Sequence, residues 1–423
     1  MNKFLVTMNA GPRYNLTGNG RHSMLAAAER WGADFIELKQ LDKPGHHYKS
    51  KIYYDQKLPV GRICWLDADV MIRSDCPSPF DVVPEGEFGL VRGHHPSHSG
   101  ANDHVLHNLP NWMRKVGFKK DSYDISSEYP NTGYMVYDLP THKKIFDMAR
   151  EIADSHWDER WWCADQGHIF AAYKKLGVKP CWIPVMFQHN GADLWYGWTP
   201  CMDRLGYHFC GPIDQWIAGD RTVWDDLGPN RLTSNGTTRW DVGKPNRFGG
   251  EAELPFYLKE VCNALWHGKA VEIGCLWGGF TWYGARIAVD NFSEWTCVDP
   301  WKGGSSDLQE DWDWDDIYEG FNLNMKDAGL LDHINIKRMR SVEAAKDFEN
   351  ESLDLVFIDG DHAYESVKSD IEAWWLKLKK GGVMLGHDYG PKHPGVIKAV
   401  KEKFGSPEKT SGNKDFPIWK KTK

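Results

Sequence analysis

Residues able to do chemistry are concentrated in a few short runs of this chain. WLDADVMI puts Asp67 and Asp69 one residue apart at the end of an apolar stretch, where a strand must leave its sheet. Two carboxylates at that spacing on one strand point to the same side. Unless a cation sits between them they repel, so a hard divalent metal is the economical explanation. In the second half, AVEIGCLWGGFTW is a strand carrying Glu272 that runs through Gly274 and Gly278 into a helix. Glycines there permit a tight turn and close approach of the backbone to a ligand. About twenty residues further on, WTCVDPW ends the next strand on Asp299, a carboxylate able to accept both hydroxyls of a ribose. That acid suits NAD and S-adenosylmethionine (SAM) equally, and the full GxGxxG of dinucleotide sites is absent. Later, LDLVFIDGDHAYESVKSDIEAWWLKLKKGGVMLGHDY sets Asp359 and His362 after one apolar strand and His387 and Asp388 after the next.

The elements that must position these residues alternate between short β-branched runs and amphipathic helical stretches, the pattern of parallel sheets covered by helices. In the first half, strands are expected at FLVTM, ADFIEL, RICWLDADV, FGLVRG and TGYMVYD, with helices near His22 to Trp31, His142 to His156 and Asp165 to Leu176. From about Asp220 to Gly250 the sequence is rich in Gly, Asn, Thr and Pro and has no hydrophobic period, which marks a linker. Alternation then restarts with a helix from Leu254 to Trp266 and strands at KAVEIGC, EWTCVD, LDLVFIDG and GGVMLGHDY. The expected organisation is α/β twice over: a domain at 1–220, a linker at 221–250 and a second domain at 251–423. The acidic, Trp-studded run SSDLQEDWDWDDIYEG is equally compatible with a solvated loop and a substrate lid, and His393 is expected in a surface loop.

A length of 423 residues, at about 150 per domain, fits two or three independently folding units. Lys plus Arg total 51 against 59 Asp plus Glu, a formal charge of -8, which argues against nucleic acid as a partner. Nine cysteines with no CxxC pair and no zinc-type spacing suit a reducing compartment. The first residues, MNKFLVTMNAG, are too short an apolar run for a signal peptide or a transmembrane segment. A cytoplasmic location is therefore expected. The 22 tryptophans supply flat faces that suit sugar rings, although most must serve packing.

The Asp67/Asp69 run resembles the DxD strand of GT-A fold glycosyltransferases. YPNTGYMVYD, ADQGHIF and GYHFCGPIDQW resemble, in the same order, further segments of glycogenin-like enzymes, so that the resemblance covers about residues 1 to 215. It implies a nucleotide-diphospho-sugar transferase fold in which Thr7, Met8 and Asn9 cradle the nucleotide base. Asp67, Asp69 and His208 would hold Mn²⁺ or Mg²⁺ on the donor diphosphate. Asn131, Thr132 and Gln166 would line the sugar pocket with Asp165, which takes a catalytic part. One departure is that Asp214 and Gln215 stand before Trp216 where the family has Lys-Pro.

Residues Leu254 to Val400 resemble class I SAM-dependent O-methyltransferases of the macrolide-sugar kind, distant relatives of catechol O-methyltransferase, with a Rossmann-like fold. The resemblance implies that Glu272, Gly274 and Gly278 meet the amino acid end of SAM, Asp299 its ribose and Ser341 the adenine side. It places Asp359, His387 and Asp388 as ligands of a candidate Mg²⁺ and His362 as the general base. His387 supplies a nitrogen where relatives often have a carboxylate. Together the two resemblances imply a bifunctional enzyme. It would transfer a sugar from a nucleotide sugar donor to a glycan or glycosylated small-molecule acceptor, and a methyl group from SAM to a hydroxyl. The alternatives are a methyltransferase with a non-catalytic glycan-binding module at its N-terminus, or a dinucleotide-dependent oxidoreductase as the second domain.

Overall fold

The computed structural model describes residues 1–9, 18–39, 51–72, 76–93, 102–156, 164–184, 187, 189–190, 206–208, 253–303, 313–412 and 416–423. The chain divides into two compact units, Met1–Arg231 and Leu232–Lys423. The expected linker at 221–250 lies outside the described residues, as do Asp214, Gln215 and Trp216.

The N-terminal unit begins with strand β1 (Lys3–Met8), helix α1 (Gly18–Trp31) and β2 (Asp34–Leu38), followed by β3 (Gly61–Leu66) and β4 (Val70–Ile72). Then come β5 (Gly89–Arg92), α2 (Asn102–Lys115), β6 (Pro130–Leu139), α3 (Lys143–His156), α4 (Ala164–Lys175), β7 (Cys181–Ile183), β8 (His189–Asn190) and β9 (Gly206–His208). A mixed six-stranded sheet runs β2-β1-β3-β6-β5-β7, and a small sheet runs β4-β9-β8. Every residue of β3 and β6 is buried, as expected of strands covered on both faces.

The run RICWLDADV, expected to be one strand, is two strands of different sheets. Strand β3 ends at Leu66, and a turn closed by Val70 N donating to Asp67 O separates it from β4. Asp67 and Asp69 thus lie in the turn rather than on one strand face. Asp67 N makes the last bond to β6, to the Gly133 carbonyl at 2.9 Å, and the chain turns immediately beyond it.

The C-terminal unit comprises α5 (Glu253–Ala264), β10 (Lys269–Ile273), α6 (Gly279–Asp290), β11 (Glu294–Val298), α7 (Trp314–Asp327), β12 (Ile334–Lys337) and β13 (Leu353–Ile358). It continues with α8 (Tyr364–Trp375), β14 (Leu378–Gly386), α9 (Pro394–Phe404), β15 (Lys409–Thr410) and β16 (Trp419–Thr422). Its seven-stranded sheet has the order β12-β11-β10-β13-β14-β16-β15, parallel from β12 to β14 and antiparallel at β16 and β15. One face packs Val271, Val356, Ile371, Trp374, Val396 and Val400 into a continuous core. In such sheets ligands bind outside the carboxyl ends of the strands where the winding order reverses. Here the reversal falls between β10 and β13, whose ends carry Gly274 and Asp359. The run expected as loop or lid is described from Asp313 onward, where it forms α7; the Asp313 carboxylate caps that helix by accepting from Asp315 N and Asp316 N.

Candidate active site

The turn between β10 and α6 is fastened on both sides. Gly274 N donates to Val298 O of β11 at 2.9 Å, and Asp359 N donates to Ile273 O at 2.8 Å. Gly274 has φ +83°, and a Cβ there would collide with the Asp359 carbonyl. Only glycine fits this junction. Gly278 has φ +89°, and a Cβ would lie 2.7 Å from the Met325 methyl group of α7.

Asp299 organises the same turn. Its carboxylate accepts from Cys275 N at 2.8 Å, Leu276 N at 3.0 Å and Trp301 N at 2.6 Å. Burial raises its pKa against these hydrogen bonds. A carboxylate has about four acceptor positions, so three amide donors leave capacity for a ribose hydroxyl. The cofactor-side residues thus fit SAM: a cradle that excludes a Cβ, a helix N-terminus and an acid at the next strand end. Glu272 instead lies in the core, 1% exposed, and accepts from the Trp295 indole N–H at 3.1 Å. Burial pushes it up to about 8. Ser341 Oγ accepts from the Trp374 indole N–H at 2.7 Å, so its hydroxyl is engaged with the core.

Beside the turn, side chains from four segments converge. His387 Nδ1 lies 3.2 Å from Asp359 Oδ1 and 3.1 Å from Asp388 Oδ2, while its Nε2 lies 3.3 Å from Glu253 Oε2. His362 Nε2 is 2.7 Å from Asp388 Oδ2, and His393 Nε2 is 3.7 Å from Asp388 Oδ1. Burial works against the His387 imidazolium, but Asp359, Asp388 and Glu253 overcome it and push the pKa up to about 12. Burial likewise opposes the Asp388 carboxylate, which His362 and His387 nevertheless hold well below the usual range, whereas burial raises Asp359. Asp388 occupies a left-handed conformation at φ +59°, costing on the order of 1 kcal/mol, as is common at functional sites. Asp359 Oδ, His387 Nδ1 and Asp388 Oδ form a nitrogen-and-oxygen donor set suited to a divalent cation.

The sequence pattern did not single out Glu253, which is fully buried at the start of α5 and comes from 134 residues away. His393 is not a surface-loop residue either: its side chain is 15% exposed, and its ring centroid lies 4.2 Å from that of His362. The HDY…HPG spacing could have signalled it, because Pro394 starts α9 directly after His393.

In the N-terminal unit, Lys51 is the residue that sequence missed. Its ammonium, 4% exposed, lies 2.8 Å from Asp67 Oδ1 and 3.1 Å from Asp165 Oδ2, and donates to Thr132 O at 3.3 Å. Burial disfavours this charge, but Asp165 and Asp67 raise its pKa overall. Thr132 Oγ1 donates to Asp165 Oδ2 at 2.5 Å, Asn131 Oδ1 accepts from Gly133 N, and Trp65 Nε1 donates to Asp67 Oδ1 at 2.8 Å. Asp67, Thr132 and Asp165 therefore form one network through Lys51. Asp69 is buried in the turn beyond, and β9 pairs with β4 so that His208 stands opposite Val70. Thr7 and Met8 are buried in β1; Asn9 follows, donating through Nδ2 to Glu37 at 2.6 Å, and Gln166 sits half-buried on α4.

A family model described as a methyltransferase domain matches residues 271–389, the segment from β10 to the residue after Asp388. The matched segment lies wholly within the C-terminal unit, which is thus similar to methyltransferase domains. A curated relative, the uncharacterized protein y4gI of Sinorhizobium fredii (strain NBRC 101917 / NGR234), is 32% identical over 130 residues, or 30% of this chain. The chain spans 14% of that protein's length. Among solved structures, the chain is similar to an O-methyltransferase from Bacillus cereus in complex with SAH: 16% identity, 50% of this chain, 97% of that one, TM-score 0.31. It is also similar to the O-methyltransferase NovP: 21% identity, 37% of this chain, 72% of that one, TM-score 0.29. Among the described residues, no helix is long and apolar enough to cross a membrane.

Proposed function

We propose that the C-terminal unit transfers the methyl group of SAM to a hydroxyl oxygen of a sugar or glycosylated small molecule, with His362 as general base. The observation that carries this is the convergence of Asp359, His362, His387 and Asp388 beside the glycine turn, at the reversal of strand order. A sugar hydroxyl is a poor nucleophile until its proton is taken. Asp388 would accept from His362 Nε2–H and orient the ring, leaving Nδ1 to receive the substrate proton, and the same carboxylate would stabilise the imidazolium. Asp359 and Asp388, with His387 once it gives up a proton to the incoming cation, would hold Mg²⁺ or Mn²⁺, which supplies Lewis acidity toward the hydroxyl. Glycine at 274 and 278 and the amides ordered by Asp299 would position SAM, whose sulfonium supplies the methyl group in line with the oxygen.

For the N-terminal unit the reading is a glycosyltransferase taking a nucleotide sugar. It is supported by the network of Asp67, Lys51, Thr132 and Asp165 at the end of β3 and by the register that returns His208 to the strand beside Asp69. Lys51, held between Asp67 and Asp165, would act here as the internal counter-charge of these carboxylates.

The test uses the full chain with methyl-labelled SAM and glycosylated hydroxyl acceptors, with mass spectrometry of products. His362→Asn is expected to lower kcat by about 10²- to 10⁴-fold while SAM binding by calorimetry is unchanged. Tighter binding of NAD than of SAM, with no label transferred, would overturn the assignment. Metal-dependent release of UDP or GDP from donor sugars tests the N-terminal unit, and its absence leaves a glycan-binding module.

A further inference from the structure

We infer that the C-terminal cluster contains a second cation seat, formed by His362, Asp388 and His393, that takes a divalent transition metal of the zinc class. His362 and Asp388 take part in the chemistry above and His393 does not, and the seat shares Asp388 with the set formed by Asp359 and His387.

Three donors are brought together by three separate segments. His362 comes from the loop after β13, Asp388 from the end of β14, and His393 from the residue before α9. One nitrogen of each histidine and one oxygen of Asp388 all lie within 4.8 Å of one another. Around a Zn²⁺ with bonds of about 2.0–2.1 Å, tetrahedral donors stand about 3.3 Å apart. The His362 contact of 2.7 Å is to Asp388 Oδ2 and the His393 contact of 3.7 Å is to Asp388 Oδ1, so the carboxylate presents one oxygen to each imidazole at distances on either side of that spacing. Side-chain exposures of 26% and 15% for His362 and His393 leave the seat reachable from solvent.

The donor chemistry separates the two seats. Two imidazoles and one carboxylate favour Zn²⁺, Co²⁺ or Ni²⁺, whereas Mg²⁺ prefers oxygen ligands and keeps its water. The Asp359 side offers two carboxylates to one imidazole, and that imidazole is further tied to Glu253. The backbone holds the nitrogen-rich seat in place. The Gly390 carbonyl accepts from His393 N at 2.9 Å, and a Cβ on Gly395 would lie 2.5 Å from the His362 carbonyl. The start of α9 is therefore packed directly on the chain that carries His362. Occupancy would engage a nitrogen of His362, so the metal would block the base; this consequence rests on the proposed function, whereas the seat itself does not.

The experiment is a Co²⁺ titration of the metal-stripped full chain in excess Mg²⁺, read by the visible absorption of bound cobalt. Wild type is expected to bind one more equivalent than His393→Ala, or to bind that equivalent about tenfold or more tightly. His393→Asn, checked for folding by circular dichroism, should match His393→Ala, while His387→Ala should keep the equivalent. Equal stoichiometry and affinity in wild type and both His393 variants would overturn the seat. As a second readout, Zn²⁺ should inhibit methyl transfer in wild type and not in His393→Ala. Cobalt binding that depends on His393 in a chain that transfers no methyl group would sink the methyltransferase reading alone.

Discussion

Replacing Glu272 by Gln should make the C-terminal unit more stable, and by an amount that grows with pH. Glu272 is 1% exposed, and burial pushes its carboxyl from the ordinary 4.5 up to about 8. Below pH 4.5 the acid is protonated in both folded and unfolded chains and contributes nothing to the pH dependence. Between 4.5 and about 8 the unfolded chain ionises it while the folded chain keeps the proton, so the native state binds one more proton and stability falls as pH rises. Above 8 the folded state ionises too, and the loss levels off. At about 1.4 kcal/mol per pH unit across that interval, the ceiling is about 5 kcal/mol. Gln is nearly isosteric and keeps an oxygen to accept the Trp295 indole N–H, so it removes the titration while retaining the hydrogen bond. The assay is urea unfolding at pH 5, 6, 7 and 8 (about evenly spaced across the interval set by the two pKa values), followed by hydrogen exchange of peptides from β10 and β11. Wild type and Glu272→Gln should nearly coincide at the acid end and separate by several kcal/mol at the basic end. Parallel curves would refute the claim that Glu272 is a protonated core acid.

Other substitutions probe the remaining contacts. Lys51→Met strands Asp67 and Asp165 without their shared cation and should cost the N-terminal unit about 3–5 kcal/mol, read as a lowered thermal midpoint that Lys51→Met/Asp165→Asn partly restores. Gly274→Ala places a Cβ against the Asp359 carbonyl at a positive φ and should destabilise the C-terminal unit by about 3 kcal/mol or more, seen as a lower urea midpoint. Asp299→Ala releases three backbone donors and should weaken SAM binding in calorimetry, with Asp299→Asn intermediate between it and wild type.

What sequence could reveal depended on how local the cause was. The buried strands KAVEI, EWTCV and LDLVFI read directly as apolar runs, because a parallel sheet covered on both faces demands them. Strand β12, INIK, was missed, since an edge strand half-exposed to solvent carries Asn and Lys in place of a hydrophobic run. Helix α2 was missed because Pro110 lies inside it. At the sites, a carboxylate beside a glycine turn announces itself, but its partner does not. Lys51 reaches Asp165, and Glu253 reaches His387, only because the folded chain brings distant segments together. Neither lysine nor glutamate has a spacing rule there to betray it.

The contacts of the C-terminal site also explain how its two tasks are held in register. The cofactor turn hangs from Val298 through Gly274 N, while its next two amides are gathered by Asp299. On the other side, Asp359 N is bonded to Ile273 O, and the Asp359 carbonyl fills the space a side chain at 274 would need. Asp359 therefore touches the cofactor turn through its backbone and the His387 imidazole through its carboxylate. A displacement of the turn that opened room beside Gly274 would shift Asp359, and with it the His387–Asp388–His362 chain of contacts. Methyl transfer needs the donor carbon and acceptor oxygen aligned to within a fraction of an ångström. On the proposed function, the pairing of β10 with β13 would give the glycine turn and the cluster around His362 a common frame.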